Sequence, residues 1–268
     1  MKKKILLFAF IFLSLFIIYL TFIFCLNEFT SLRKKIYLPR KTAYYPTIGN
    51  DKKIMIKNNN RMVNGLLSLN GKKLIVFFHG NGAIINDLEF LAKIFYRNGY
   101  SILLIEYPGY GLSYDYKLSE RNIYSDCRKI INFVKSEYNF STSDTYFFGW
   151  SLGSAVATEM MKNKLGSKMI IVSSFTSVPD VVHQKFIKIL PYFILIDRFS
   201  SKLKARHIKE PVLLIHGTKD RLIPYEMSLK LNKLFPNSEL ITINNADHVN
   251  IFRFMTEKIW MKIFKFYS

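Results

Sequence analysis

A serine framed by two glycines, Gly149-Trp150-Ser151-Leu152-Gly153, follows the apolar run 145–148 and precedes the small residues Ser154, Ala155 and Ala157. A hydroxyl is a weak nucleophile unless it stands clear of the backbone beside a base. A strand that turns sharply into a helix lifts it clear, and Gly149 and Gly153 leave room for so tight a turn. The helix start that follows aims unpaired N–H groups and positive dipole at the same hydroxyl. The spacing therefore predicts Ser151 as a nucleophile.

Its partners are sought at later strand ends. Residues 212–217 run into Thr218-Lys219-Asp220, and Asn245-Ala246-Asp247-His248 follows the strand expected at 240–243. In this reading His248 takes the Ser151 proton and returns it to the leaving group, while Asp220 holds the imidazole tautomer and its cation. Asp247 is the lesser candidate for the acid. An earlier strand ends in Phe78-His79-Gly80-Asn81-Gly82. A glycine-rich loop there can aim a backbone N–H at a developing oxyanion, so Asn81 and Leu152 are the expected donors. His79 reads as a brace for that loop rather than a base, and His216 as a residue closing a turn. His183 and His207 fall on the surface or the cap.

These residues need a scaffold that brings strand ends together. Beyond residue 30, short apolar strands alternate with longer helical segments, the pattern of a mostly parallel sheet covered on both faces. Residues 53–57 and 61–69 read as a hairpin turning at Asn58-Asn59-Asn60. Strands are expected at 74–78, 102–106, 145–148, 169–172, 212–215 and 240–243, and helices near 86–97, 119–138 and after His248. In the second helix Ile123, Cys127, Ile130, Ile131 and Val134 recur at helical spacing.

Five pieces together, HGNG (79–82), EYPGYG (106–111), GWSLG (149–153), HGTKD (216–220) and ADH (246–248), resemble the α/β-hydrolase superfamily. The closest resemblance is to its membrane-anchored branch of α/β-hydrolase domain-containing proteins, related to serine aminopeptidase-like hydrolases. Residues 173–177 and 197–199 look like that branch too, and the likeness covers about residues 42–268. The order serine, acid, histidine is also the order of that fold. The resemblance implies an α/β-hydrolase fold with a short cap, and a hydrolase needing neither metal nor organic cofactor. Esters, thioesters and amides are all cleaved within the family. One departure is Pro108, where relatives often carry Arg or Ser. Epoxide-hydrolase and dehalogenase chemistry is disfavoured, because those enzymes place an aspartate where Ser151 stands.

Composition bounds the rest. The 268 residues suit one domain, residues 31–268, plus an appendage at residues 1–30, and half of them are apolar. Two cysteines, Cys25 and Cys127, cannot build a disulfide framework or a zinc site, and both read as packed thiols. A net charge of +20 attracts anionic surfaces, yet no nucleic-acid motif accompanies it. After Lys2, Lys3 and Lys4, residues 5–26 run 22 positions without a charge, about 33 Å of helix and enough to span a bilayer. The bulky ending at residues 22–26 argues against cleavage, so an uncleaved signal anchor is expected. The leading lysines favour an N-in, C-out orientation, although Arg33, Lys34, Lys35, Arg40 and Lys41 follow the span. A cap is expected at 175–209, where Phe186, Ile187, Ile189, Leu190, Tyr192, Phe193, Ile194 and Leu195 form an unusually apolar set. It serves either as a lid for an acyl chain or as simple packing. The expected function is hydrolysis of an ester or thioester of a lipid or acylated molecule. Its rivals are an amide-cleaving peptidase and a silent scaffold on the same fold.

Overall fold

The computed structural model describes residues 13–16, 19, 37–185 and 195–268. The chain divides into two units, residues 1–38 and 39–268. In the first, residues 13–16 and 19 are helical, and the rest of the apolar run 5–26 lies outside the described residues. Among the described residues, no helix is long and apolar enough to cross a membrane.

The second unit is built on eight strands: β1 (Asp51–Asn58), β2 (Arg61–Ser68), β3 (Leu74–Phe78), β4 (Ser101–Ile105), β5 (Thr145–Trp150), β6 (Lys168–Val172), β7 (Val212–Gly217) and β8 (Ser238–Ile243). They lie in the order β1-β2-β4-β3-β5-β6-β7-β8. β1 pairs antiparallel with β2, and β2 with β4; every pair from β4 to β8 is parallel. Burial follows from that order. Central strands such as β3 and β7 are buried throughout, because helices cover both sides of a parallel sheet. The edge strands β1 and β8 are largely exposed or half-buried, and β1 carries Lys52, Lys53 and Lys57, which discourage edge pairing. The hairpin turn is tighter than the expected three asparagines. Asn58 joins the strand, and Asn59 takes the left-handed φ of 55°, which asparagine tolerates well.

Seven α-helices are described in this second unit: α1 (Glu89–Arg97), α2 (Glu120–Glu137), α3 (Leu152–Lys162), α4 (Val178–Lys185), α5 (Ser201–Ala205), α6 (Tyr225–Leu234) and α7 (Glu257–Tyr267). The helix expected over 86–97 is split, with a 3₁₀ turn at Ile85–Leu88 leading into α1. In α2 the predicted apolar stripe is buried, and the Ser119 side chain caps the helix by accepting from the Asn122 N–H at 3.2 Å. On one face of the sheet, Ile75, Phe77, Phe148 and Ile170 pack against Leu91 and Phe95 of α1 and Ile263 and Tyr267 of α7. Phe95 sits at the centre of that layer, with the rings of Phe77, Phe148, Trp260, Phe264 and Tyr267 all around it. Cys127 is fully buried, and burial followed by the nearby Asp126 charge pushes its thiol well above the ordinary range. That is an inert packed thiol.

The cap begins and ends on described residues. Glu120 at the start of α2 holds the returning chain: its N–H donates to Asp197 at 3.0 Å, and its carboxylate accepts from the Arg198 N–H at 2.6 Å. Leu195 is buried. The other apolar cap residues, Phe186, Ile187, Ile189, Leu190, Tyr192, Phe193 and Ile194, lie outside the described residues.

Candidate active site

The site forms where the parallel strands β3, β5, β7 and β8 end on the same side of the sheet, as expected for ligand-binding loops of such sheets. Ser151 joins β5 to α3 with φ 54° and ψ −118°, a conformation that costs energy and is held by its surroundings. Its N–H donates to the Val172 carbonyl at 2.9 Å, and its own carbonyl accepts from the Ser154 N–H and hydroxyl at 2.9 and 2.6 Å.

Both flanking glycines are required by close approach. A β-carbon on Gly149 would lie 2.4 Å from the Gly153 carbonyl oxygen, and one on Gly153 would lie 2.0 Å from that of Phe78. These obstacles are backbone, so they cannot swing aside. Gly153→Ala is therefore expected to wedge α3 away from the end of β3 and to destabilise the fold by about 1–3 kcal/mol, the usual range for overpacking. Thermal unfolding followed by circular dichroism checks this: a melting temperature equal to wild type would contradict the close packing.

Three side chains far apart in sequence meet above this turn. His248 Nε2 lies 3.0 Å from Ser151 Oγ, and His248 Nδ1 lies 2.7 Å from Asp220 Oδ2. All three residues are buried. Asp220 is held on its other oxygen as well, since Oδ1 accepts from the Leu222 N–H at 2.9 Å and the Ile223 N–H at 2.8 Å. Burial pushes the Asp220 carboxyl upward. Hydrogen bonds from His216 and His248, the His248 charge and the Ile223 N–H outweigh it and hold the group well below the usual carboxylate range. Asp220 is thus a permanent anion beside the imidazole.

The loop after β3 lies against the elbow. A β-carbon on Gly80 would touch the Ser151 β-carbon at 3.3 Å and the Trp150 carbonyl at 3.4 Å. The Asn81 side-chain oxygen accepts from the Tyr110 hydroxyl at 2.7 Å, and Leu152 stands at the first position of α3. His79 behaves as a brace. It is fully buried, its Nδ1 lies 2.9 Å from the Gly80 oxygen, and its Nε2 lies 3.2 Å from the Glu106 carboxylate. Tyr107 stacks on its ring at 3.8 Å, and the Tyr107 hydroxyl donates to the His79 carbonyl at 3.2 Å. The segment carrying Pro108 is thus tied to the HGNG loop by the tyrosines on either side of it.

Asp247 keeps to its own turn, accepting from the N–H groups of Val249 and Asn250. His207 is exposed, and His183 lies on α4. Two contacts were not anticipated from the sequence. The Trp150 ring stacks on His248 with centroids 5.8 Å apart, and His216, whose Nε2 closes the following loop onto the Ile223 carbonyl at 3.0 Å, also reaches Asp220. Among the described residues no cluster of three or more His, Cys, Asp or Glu side chains could hold a metal ion.

Comparison with known proteins agrees with this architecture. The serine aminopeptidase S33 family model matches residues 70–204, and a model of the α/β-hydrolase fold matches residues 180–253. An α/β hydrolase of Acanthamoeba polyphaga mimivirus is 29% identical over 238 residues, covering 82% of this chain and 88% of its own. Human α/β-hydrolase domain-containing protein 17B is 27% identical over 165 residues, 61% of this chain, but the match spans only 56% of that protein. Among solved structures, an esterase of Pyrococcus furiosus superposes with a TM-score of 0.71 at 18% identity, covering 85% of this chain and 97% of its own. With the family model matching half the sequence and the sheet order, elbow and strand-end loops all in place, the chain belongs to the serine aminopeptidase S33 family of α/β hydrolases.

Proposed function

We propose that this hydrolase cleaves carboxylic esters or thioesters through a covalent acyl-enzyme on Ser151. The observation that carries the reading is the continuous chain Ser151 Oγ, His248 Nε2, His248 Nδ1, Asp220 Oδ2, with contacts of 3.0 and 2.7 Å. In the acylation step Ser151 Oγ attacks the substrate carbonyl carbon as its proton passes to His248 Nε2. The negative oxygen of the tetrahedral intermediate is received by the backbone N–H groups of Asn81 and Leu152. Collapse breaks the bond to the leaving alcohol or thiol, which takes the proton from His248. Water then repeats the sequence on the acyl-enzyme, giving up its proton to His248, and releases the acid with Ser151 restored. No organic cofactor or metal enters these steps.

A lipid or long-chain acyl substrate fits the apolar sequence of the cap, and a membrane anchor through residues 5–26, N-in and C-out, would hold the site near such molecules. Amide cleavage is the second reading, favoured by the family description itself.

One set of measurements separates these. A fluorophosphonate probe, whose phosphorus bonds to the serine oxygen as fluoride leaves, is expected to modify the folded protein once, on the peptide containing Ser151. p-Nitrophenyl ester turnover is expected to rise with acyl length and to exceed turnover of aminoacyl p-nitroanilides. No labelling of folded protein overturns the serine-hydrolase reading. A flat or falling acyl series removes the lipid part of it, and faster anilide turnover favours the peptidase.

A further inference from the structure

His216 belongs to β7, is fully buried and takes no part in the steps above. Its Nε2 lies 3.2 Å from Asp220 Oδ2 and 3.0 Å from the Ile223 carbonyl oxygen. Both neighbours only accept: one is a carbonyl, and the other is a carboxylate that already takes two backbone N–H donors on its far oxygen. Nε2 therefore carries the hydrogen, and it is shared between the two. On the opposite side of the ring, Nδ1 meets Ser228 Oγ of α6 at 2.6 Å, and that hydroxyl lies 2.8 Å from Ser174 Oγ in the loop after β6. The Tyr225 ring stands edge-on at 5.8 Å. The ring is thus fixed from β7, α6 and the β6 loop together.

We propose that His216 is a positioning residue of the triad, the second imidazole donor that fixes the plane of the Asp220 carboxylate so that Oδ2 faces His248. The inference rests on the serine-hydrolase reading of Ser151. Its physical basis is torsional. Rotation of a carboxylate about its Cβ–Cγ bond is a broad, shallow sp³–sp² torsion. The Leu222 and Ile223 N–H groups hold Oδ1, and because the group is planar Oδ2 keeps only the libration that those two bonds allow. A donor on Oδ2 other than His248 removes that freedom while leaving His248 its shorter bond, 2.7 against 3.2 Å. The same donor helps satisfy a buried charge that would otherwise be costly. Among the described residues, Asp220 is the one anion that His216 touches.

The test compares His216→Phe, which keeps a ring and loses the donor, with His216→Gln, whose side-chain amide places an N–H₂ near the position of Nε2. Fluorophosphonate titration counts the folded, reactive sites in each preparation, and kcat and KM are expressed per titrated site. His216→Phe is expected to lose about ten- to a hundredfold in kcat, the usual range for one hydrogen bond to a charged group, with KM little changed. His216→Gln is expected to recover most of that loss. Wild-type kcat in His216→Phe overturns the proposal. So does equal damage in both variants at equal titrated sites, because the ring's shape and not its donor would then matter. A wild-type protein that neither labels nor turns over esters overturns the underlying hydrolase reading, and the positioning role with it. A labelled wild type with an unaffected Phe variant removes the positioning role alone.

Discussion

Ser151→Ala is expected to lower kcat by about 10⁶, comparable with the loss on removing the serine of subtilisin, while the protein still folds and still binds substrate. The hydroxyl's hydrogen-bond partner is His248 Nε2 at 3.0 Å, so its loss takes away the nucleophile and one neutral hydrogen bond. That bond is worth about 0.5–1.5 kcal/mol, small beside the stability of a domain of this size. The elbow itself is held by backbone. Val172 still accepts from the residue-151 N–H, the residue-151 carbonyl still accepts from Ser154, and the close approaches of Gly149 and Gly153 are untouched. Some acceleration over water should survive, since the oxyanion donors proposed at Asn81 and Leu152 and the binding of substrate do not depend on the serine. Steady-state ester hydrolysis and a thermal melt check both halves. A variant retaining more than a tenth of wild-type kcat would mean that another group attacks the substrate.

Much of this was legible in the sequence because two of the signals are local. Continuous apolar runs such as 74–78 and 212–215 read as strands buried on both faces, and the elbow announces itself through glycines whose place no β-carbon can take. Asp220 and His248 were singled out because each stands in the loop that follows an expected strand. What local reading missed depends on how loops close. His216 and Asp220 are four residues apart, and periodicity says nothing about whether the chain between them folds back. It does so because Asp220 Oδ1 captures the Leu222 and Ile223 N–H groups, which also brings the Ile223 carbonyl onto His216. A histidine at a strand end four residues before a candidate acid was the available signal. Trp150 was given no role in the sequence, yet its ring lies along His248 and against Phe252, a contact between segments about a hundred residues apart. The pairing of His79 with Glu106 has a similar origin, since it needs β3 and β4 to be neighbours in the sheet.

Asp220→Asn should cost about 10⁴ in kcat through the imidazole tautomer, with little change in packing. The argument follows from the four donors around the carboxylate. Oδ1 faces two backbone N–H groups, and Oδ2 faces His248 Nδ1 and His216 Nε2. An asparagine amide has one oxygen and one N–H₂ to set in these two places. If the N–H₂ took the place of Oδ1, it would oppose two backbone donors that have no freedom to turn away. The oxygen therefore stays with Leu222 and Ile223, and the N–H₂ faces the imidazoles. His248 responds by moving its hydrogen from Nδ1 to Nε2, where it points at Ser151 Oγ and can no longer take the serine proton. Asp220 carries its charge well below the usual carboxylate range, so wild-type activity should not be lost by protonation of this acid anywhere near neutral pH. The asparagine variant, by contrast, should recover rate as hydroxide begins to deprotonate Ser151 directly, and its kcat/KM should climb with pH where wild type is flat. A variant within tenfold of wild type at neutral pH would show that the tautomer is set by something other than Asp220, and would break the chain of contacts from which the serine's reactivity is derived.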